Sequence, residues 1–270
     1  MTGDPPWTSW GMFAACASEF GDSPAAYDEH GTRLTFAELH ERAEGVAAGL
    51  YECGFGAGSR VTWQLPTRIE TVVLILGLSR LGAVQNPVIP LYGKREVGFI
   101  LRQIRAELFI VPGEFRGTDF GAMALELRSQ LAPGISGEHA GSELQVLLTS
   151  QGLPQADPKG ICHTDATILA SGNALVVAHA LTRSDVGSIA FPIAHAGGAQ
   201  YLASMFQVGF PALLLERFSP AESLAVMREH RVTIVGGGSA FSSAILAEQR
   251  RRPDEPVPRA ARCPAWQYEW

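Results

Sequence analysis

At 270 residues, with 46% apolar and 18% charged residues, the chain has material for one large globular core or two smaller ones. A formal net charge of −6 with no basic face argues against nucleic acid as a partner. Four scattered cysteines, Cys16, Cys53, Cys162 and Cys263, form no Cys-x-x-Cys pair, which argues against a disulfide framework or a zinc site and predicts a reducing, cytoplasmic setting.

Met1 to Trp10 is acidic and Pro-containing, unlike a signal peptide. Thr35 and Glu38 form a capping box, and Phe36, Leu39, Ala43, Val46, Ala47 and Leu50 follow at helical spacing, with Gly54 as the stop. Val61 to Leu65 reads as a strand. Thr67 and Glu70 predict a second capping box and a helix to about Leu81. The apolar run Val72 to Val84 is interrupted by Arg80 and is too short to span a bilayer, so membrane insertion is not expected.

Asn86 to Pro90 reads as a short strand, Arg95 to Arg105 as a helix, Leu108 to Val111 as a strand and Gly121 to Leu131 as a helix. Gln145 to Leu148 is a strand and Asp165 to Ala180 a helix. Gly187 to Pro192 (strand), Ala199 to Gln207 (helix) and Ala212 to Leu215 (strand) follow. Ser219-Pro220-Ala221-Glu222 reads as a third capping box, opening a helix to about His230. Val232 to Val235 is a strand and Ala240 to Arg250 a helix. This alternation predicts an α/β fold with mostly parallel sheets in two packed subdomains, joined near residues 133–142. The last residues, 259–270, carry no periodicity and are expected to be disordered.

The stretch between the strand ending at Leu148 and the helix after it carries Thr149, Ser150, Gly152, Lys159 and Gly160. Backbone N–H groups, hydroxyls and an ammonium in a strand–loop–helix corner can cradle phosphate. Lys159 is one of two lysines beside 19 arginines. On the residues alone, the stretch serves equally as an ordinary βα turn or as a phosphate loop. It is not a Walker A motif. Val235-Gly236-Gly237-Gly238-Ser239 also joins a strand to a helix, but lacks the third glycine of a dinucleotide fingerprint and reads as a tight turn.

Thr149-Ser150, Pro158-Lys159-Gly160 and His163-Thr164 resemble the phosphate loop of the AMP-forming acyl-CoA synthetases and ligases. Three further stretches agree in order: Tyr27 to Leu39, Gly58 to Pro87 and Phe191-Pro192-Ile193-Ala194-His195-Ala196-Gly197-Gly198. The resemblance implies the N-terminal large domain of adenylate-forming enzymes, with two doubly wound α/β subdomains over residues 1–258. It also implies that this domain stops before its sheet is complete, without the small C-terminal domain. ATP, Mg²⁺ and coenzyme A are the implied cofactors and co-substrates, and a small carboxylic acid is the implied partner. Thr149, Ser150, Gly152, Lys159 and Gly160 would contact ATP phosphates. His195, Gly197, Gly237 and Gly238 would line the acid pocket, with His195 acting through shape and polarity. No catalytic residue and no metal ligand is assigned.

The chain departs from this family at two places. Gln151 to Asp157 replaces the paired hydroxyls, and the spacing from Thr149 to Lys159 is two residues too long. Leu153 and Pro154 offer no side-chain donor, and Pro154 lacks an N–H. Hydrogen bonds to charged groups contribute about 1.5–3 kcal/mol each, so ATP binding is expected to be weakened. The family's Tyr-Gly-x-Thr-Glu segment, its ribose-binding Asp and its C-terminal Lys find no counterpart. The expected function is therefore an AMP-forming carboxylate–CoA ligase fragment, impaired in full turnover. The alternative is a non-catalytic nucleotide- or acyl-binding remnant, or half of a split enzyme needing a complementing chain. A homo-oligomer is compatible with either.

Overall fold

The computed structural model describes residues 7–131, 145–148 and 163–252, the strand at 145–148 through its backbone only. Two compact units divide the chain: residues 1–43, 67–76 and 163–270 form unit 1, and residues 44–66 and 77–162 form unit 2. The border is crossed inside α2 (Phe36–Glu52) and α3 (Ile69–Leu81). The expected joint at 133–142 lies outside the described residues.

Unit 2 holds a four-stranded parallel sheet of β3 (Arg60–Trp63), β4 (Val84–Pro87), β5 (Leu108–Val111) and β8 (Gln145–Leu148), in the order β4-β3-β5-β8. The chain leaves β3 to one side for β4, then returns past it to β5, which is the reversal of a doubly wound sheet. The amphipathic α4 (Lys94–Ile104) buries Val97, Ile100 and Leu101 with Phe109 and Val111 of β5. Phe120, Ala124 and Leu127 of α5 (Phe120–Leu131) close the same core. A Cβ at Gly98 would stand 2.9 Å from Leu127 Cδ2, so glycine lets the two helices approach. A short hairpin, β6 (Glu114–Phe115) and β7 (Thr118–Asp119), was not foreseen.

Unit 1 holds a five-stranded mixed sheet. Its strands are β1 (Pro24–Asp28), β2 (Arg33–Thr35), β9 (Gly187–Ile189), β10 (Ala212–Leu214) and β11 (Ile234–Gly236), in the order β11-β9-β10-β1-β2. Only the β1–β2 hairpin is antiparallel. Its helices are α1 (Ser9–Phe20), α6 (Asp165–Ala178), α7 (Ala196–Val208), α8 (Pro220–Glu229) and α9 (Ser239–Arg251). One core joins Leu213, Leu215, Leu224, Met227, Val232, Val235 and Ile245. A Cβ at Gly172 would lie 2.7 Å from Ala203 Cβ, so α6 packs on α7 through glycine. Gln200 and Gln207 stitch the pair by donating to the Ser171 and Leu169 carbonyls at 3.1 and 2.9 Å.

Several expectations need correcting. Helix α1, capped by the Thr8 hydroxyl, was not foreseen. The strand expected to reach Pro192 stops at Ile189, and α7 begins at Ala196 rather than Ala199, because a turn closes between them with His195 N–H donating to the Pro192 carbonyl at 2.9 Å. Of the three capping boxes, only Thr35/Glu38 forms, with Thr35 N–H to Glu38 Oε2 at 2.7 Å and Glu38 N–H to Thr35 Oγ1 at 3.2 Å. The Thr67 hydroxyl is spent on Phe191 and Ile193 instead. At Ser219 the side chain makes no cap, and Ser223 Oγ takes the Ser219 N–H that Glu222 was expected to hold.

Candidate functional site

Strands β1, β10, β9 and β11 all run the same way, so their carboxyl ends share one edge of the unit 1 sheet. From β9 the chain moves one place to β10, then jumps back past β9 to β11. Open parallel sheets bind ligands outside the carboxyl ends of their strands at such a reversal. The residues leaving β9 there are Ala190 to His195.

That exit is a fixed turn. Ile193 and Ala194 are buried and Phe191 is half-buried. The buried Thr67 hydroxyl donates to the Phe191 carbonyl at 2.9 Å and accepts the Ile193 N–H at 3.0 Å. His195 is the N-cap of α7, and its Nδ1 accepts the Gly197 N–H at 3.1 Å. With Nδ1 accepting, Nε2 is the ring nitrogen left to donate, and His195 is exposed. A Cβ at Gly197 would lie 3.3 Å from that Nδ1. At Gly198 it would lie 2.0 Å from the Ile193 carbonyl oxygen, so only glycine fits. The sequence reading assigned His195 and Gly197 to the site and quoted Gly198 in the same stretch without giving it a role.

The exit from β11 is built differently. A Cβ at Gly236 would meet the Ser188 carbonyl oxygen at 2.3 Å. Gly237 has φ +152, and Gly238 starts α9 with no side-chain cap. A Cβ at Gly238 would touch nothing within 4 Å, so open space lies before it. Tyr201 of α7 packs under the sheet, from the start of β9 to the end of β11. Its hydroxyl would be 2.1 Å from a Cβ at Gly187, and its ring 3.1 Å from one at Gly236. This hydroxyl is buried without a hydrogen-bond partner. Burial pushes the phenol pKa well up; the Ser188 N–H offsets part of that rise without reaching hydrogen-bonding geometry.

A third feature crosses the edge. Arg68 makes a bidentate pair with Glu216, just after β10, at 2.6 and 3.1 Å. The Glu216 N–H in turn donates to both carboxylate oxygens of Glu29, just after β1, at 3.2 and 3.0 Å. The hydrogen bonds to Glu216 hold the Arg68 guanidinium yet more firmly protonated.

Thr149, Ser150, Gly152, Lys159 and Gly160 lie outside the described residues. Their flanks are described: β8 pairs with β5 up to Leu148, and α6 opens with Thr164 and Thr167 bonding each other's N–H groups. Among the described residues, no group of His, Cys, Asp and Glu could hold a metal ion, and no helix is long and apolar enough to cross a membrane.

The sequence pattern of the AMP-binding enzyme family matches residues 13–150, just over half of the chain. The medium-chain fatty-acid–CoA ligase of Escherichia coli (strain K12) is 28% identical over 262 residues, covering 86% of this chain and 46% of that protein. The 2-succinylbenzoate–CoA ligase of Bacillus velezensis is 27% identical, covering 82% of this chain and 47% of that protein. The chain thus spans about half the length of these relatives. The O-succinylbenzoate coenzyme A synthetase of Bacillus subtilis, solved in complex with ATP and magnesium ion, superposes with a TM-score of 0.76 at 18% identity. That match covers 97% of this chain and 71% of that one.

Proposed function

The chain belongs to the AMP-binding enzyme family, and on that premise we propose that it is the N-terminal part of an AMP-forming carboxylate–CoA ligase. The reaction is ATP-dependent activation of a carboxylic acid to an acyl-adenylate, followed by thioester formation with coenzyme A. Its relatives include ligases named for medium-chain fatty acids and for succinylbenzoate, which supports an aliphatic or aromatic acid as the substrate class. A role in fatty acid metabolism is one branch of that range.

One observation carries the reading. At the carboxyl edge of the unit 1 sheet, exposed His195 spends Nδ1 on its own helix, which leaves Nε2 to donate, beside half-buried Phe191. A donor at the rim of an apolar wall suits a carboxylate whose tail is apolar. The open space before Gly238 and the contact between Gly197 and His195 favour these residues, with Gly237, as the pocket lining. Thr149, Ser150, Gly152, Lys159 and Gly160 are assigned to the ATP phosphates, from the family's loop. Mg²⁺ would neutralise phosphate charge, and we assign it no ligand in this chain. The replaced hydroxyls between Gln151 and Asp157 support weak ATP binding. The scattered cysteines support a cytoplasmic setting.

The test is acid-dependent pyrophosphate release with ATP, Mg²⁺ and a panel of medium-chain and aromatic acids. The expected result is slow release that Lys159→Ala lowers by about 10- to 100-fold, the value of one charge-assisted contact. The reading fails if no acid stimulates release and calorimetry finds no binding of ATP or AMP. Release at rates typical of intact enzymes, on the order of 10 s⁻¹, would overturn the impairment.

A second reading is favoured by α6. Ten of its fourteen residues, DATILASGNALVVA, are Ala, Gly, Ile, Leu or Val, yet only Gly172 is buried. Such a helix calls for cover. A chain that binds ligand but needs a complementing segment, or a second copy, to complete its fold accounts for it. Sedimentation that shows a monomer with no apolar-dye binding would remove this reading.

A further inference from the structure

We propose that Thr67 and Arg68, at the start of α3, are positioning residues that set the turn carrying His195 at the acid-facing edge of unit 1. The inference rests on the carboxylate-ligase reading, which it deepens.

Thr67 is joined to the turn by a single atom. Its Oγ1 gives its proton to the Phe191 carbonyl and receives the Ile193 N–H, so it spans both sides of Pro192. Pro192 supplies no N–H of its own. Its carbonyl accepts the His195 N–H, and the His195 carbonyl accepts the Gly198 N–H at 2.7 Å. The position of His195 therefore descends, bond by bond, from Thr67. The partners lie 124 and 126 residues apart in sequence.

Arg68 extends the same grip to the next strand end. Its bidentate pair fixes Glu216 after β10, and Glu216 gives its N–H to Glu29 after β1. Exits from β9, β10 and β1 are thereby tied to two adjacent residues of one helix start. The pair is partly withdrawn from water, with side-chain exposures of 35% for Arg68 and 12% for Glu216. Ion pairs so placed recover little net stability against the cost of desolvation, while a planar bidentate pair imposes a definite geometry. An arrangement poor in stability and rich in geometric constraint, laid across the binding edge, is suited to positioning.

The experiment compares wild type, Thr67→Val and Thr67→Ser in the full chain, with two readouts. The first is amide hydrogen exchange. Valine keeps the shape of Thr67 but removes the acceptor, so the Ile193 and Gly197 amides should exchange about 10-fold faster, the worth of one buried hydrogen bond. Amides of β9, β10 and β11 should not change, and Thr67→Ser should restore Ile193. The second is acid-dependent pyrophosphate release, in which Thr67→Val should raise KM for the acid about 10-fold while kcat and KM for ATP stay within about twofold. Wild-type protection of Ile193 in Thr67→Val would overturn the proposal. So would equal losses in kcat and both KM values, the mark of a destabilised fold. If wild type shows no acid-dependent release, the ligase reading falls, and amide exchange alone decides whether Thr67 sets the turn.

Discussion

The exits from β9 and β11 stand side by side on one sheet edge, and they are held by opposite means. The β9 exit is fixed by polar bonds from afar, with Thr67 bridging Phe191 and Ile193 and His195 capping its own helix. The β11 exit has three consecutive glycines, no side-chain cap on α9, and a backbone pressed against Ser188. Polar tethering leaves a side chain, His195, exposed with one nitrogen committed. Steric closeness removes side chains and leaves room. On the proposed carboxylate-ligase reading, an edge holding a charged head and an apolar tail would be served by one exit of each kind.

The largest effects should come from closing the steric contacts. Gly198→Ala and Gly236→Ala would each drive a Cβ into a carbonyl oxygen, at 2.0 and 2.3 Å. Each should cost about 3 kcal/mol in urea unfolding, the overpacking range. Gly238→Ala, with open space around it, should stay within about 0.5 kcal/mol of wild type. Equal costs at Gly236 and Gly238 would refute the contrast drawn within the β11 exit.

A smaller effect should come from Tyr201, which packs under the sheet between the start of β9 and the end of β11. Its hydroxyl is buried with no hydrogen-bond partner, so Tyr201→Phe should stabilise the chain by about 1 kcal/mol at pH 7. The pH dependence follows from its raised pKa. In the folded state the phenol stays protonated, whereas the unfolded chain ionises near 10.0. The stability tied to the protonated phenol is thus complete below pH 10 and is lost as pH rises above it. Tyr201→Phe should therefore flatten the alkaline side of the stability profile. A phenylalanine variant that is less stable at pH 7 would mean that the hydroxyl has found a partner.

The order of helices and strands was legible because apolar spacing is a local signal, and, the β6–β7 hairpin apart, elements from α2 to α9 fall within a few residues of their expected places. His195 was named from its setting beside Pro192, Gly197 and Gly198, and it stands at the N-cap of α7. What could not be read was which glycine Cβ would strike a backbone atom. Gly198 and Gly236 were passed over, while Gly238, which has room, was named. Helix α1 was missed although Thr8, Trp10, Phe13 and Ala17 carry its cap and buried face. Thr67 shows the general reason. Its local pattern with Glu70 matches a capping box, but its hydroxyl has partners more than 120 residues away, and no window of sequence contains them.

The smallest expected effect sharpens that last point. Thr35/Glu38, Thr67/Glu70 and Ser219/Glu222 share one sequence pattern, yet only the first closes into a box. Glu38→Ala should lower the melting temperature slightly at pH 7, whereas Glu70→Ala and Glu222→Ala should leave it level or raise it, since alanine favours helix. The bonds from Thr35 hold the Glu38 carboxyl below its usual 4.5. That contribution is present above pH 4.5 and is lost as pH falls through the lowered folded value. The gap between wild type and Glu38→Ala should therefore close on acidification. An acid-insensitive gap at Glu38 would show that helix propensity, and not the box, sets the start of α2.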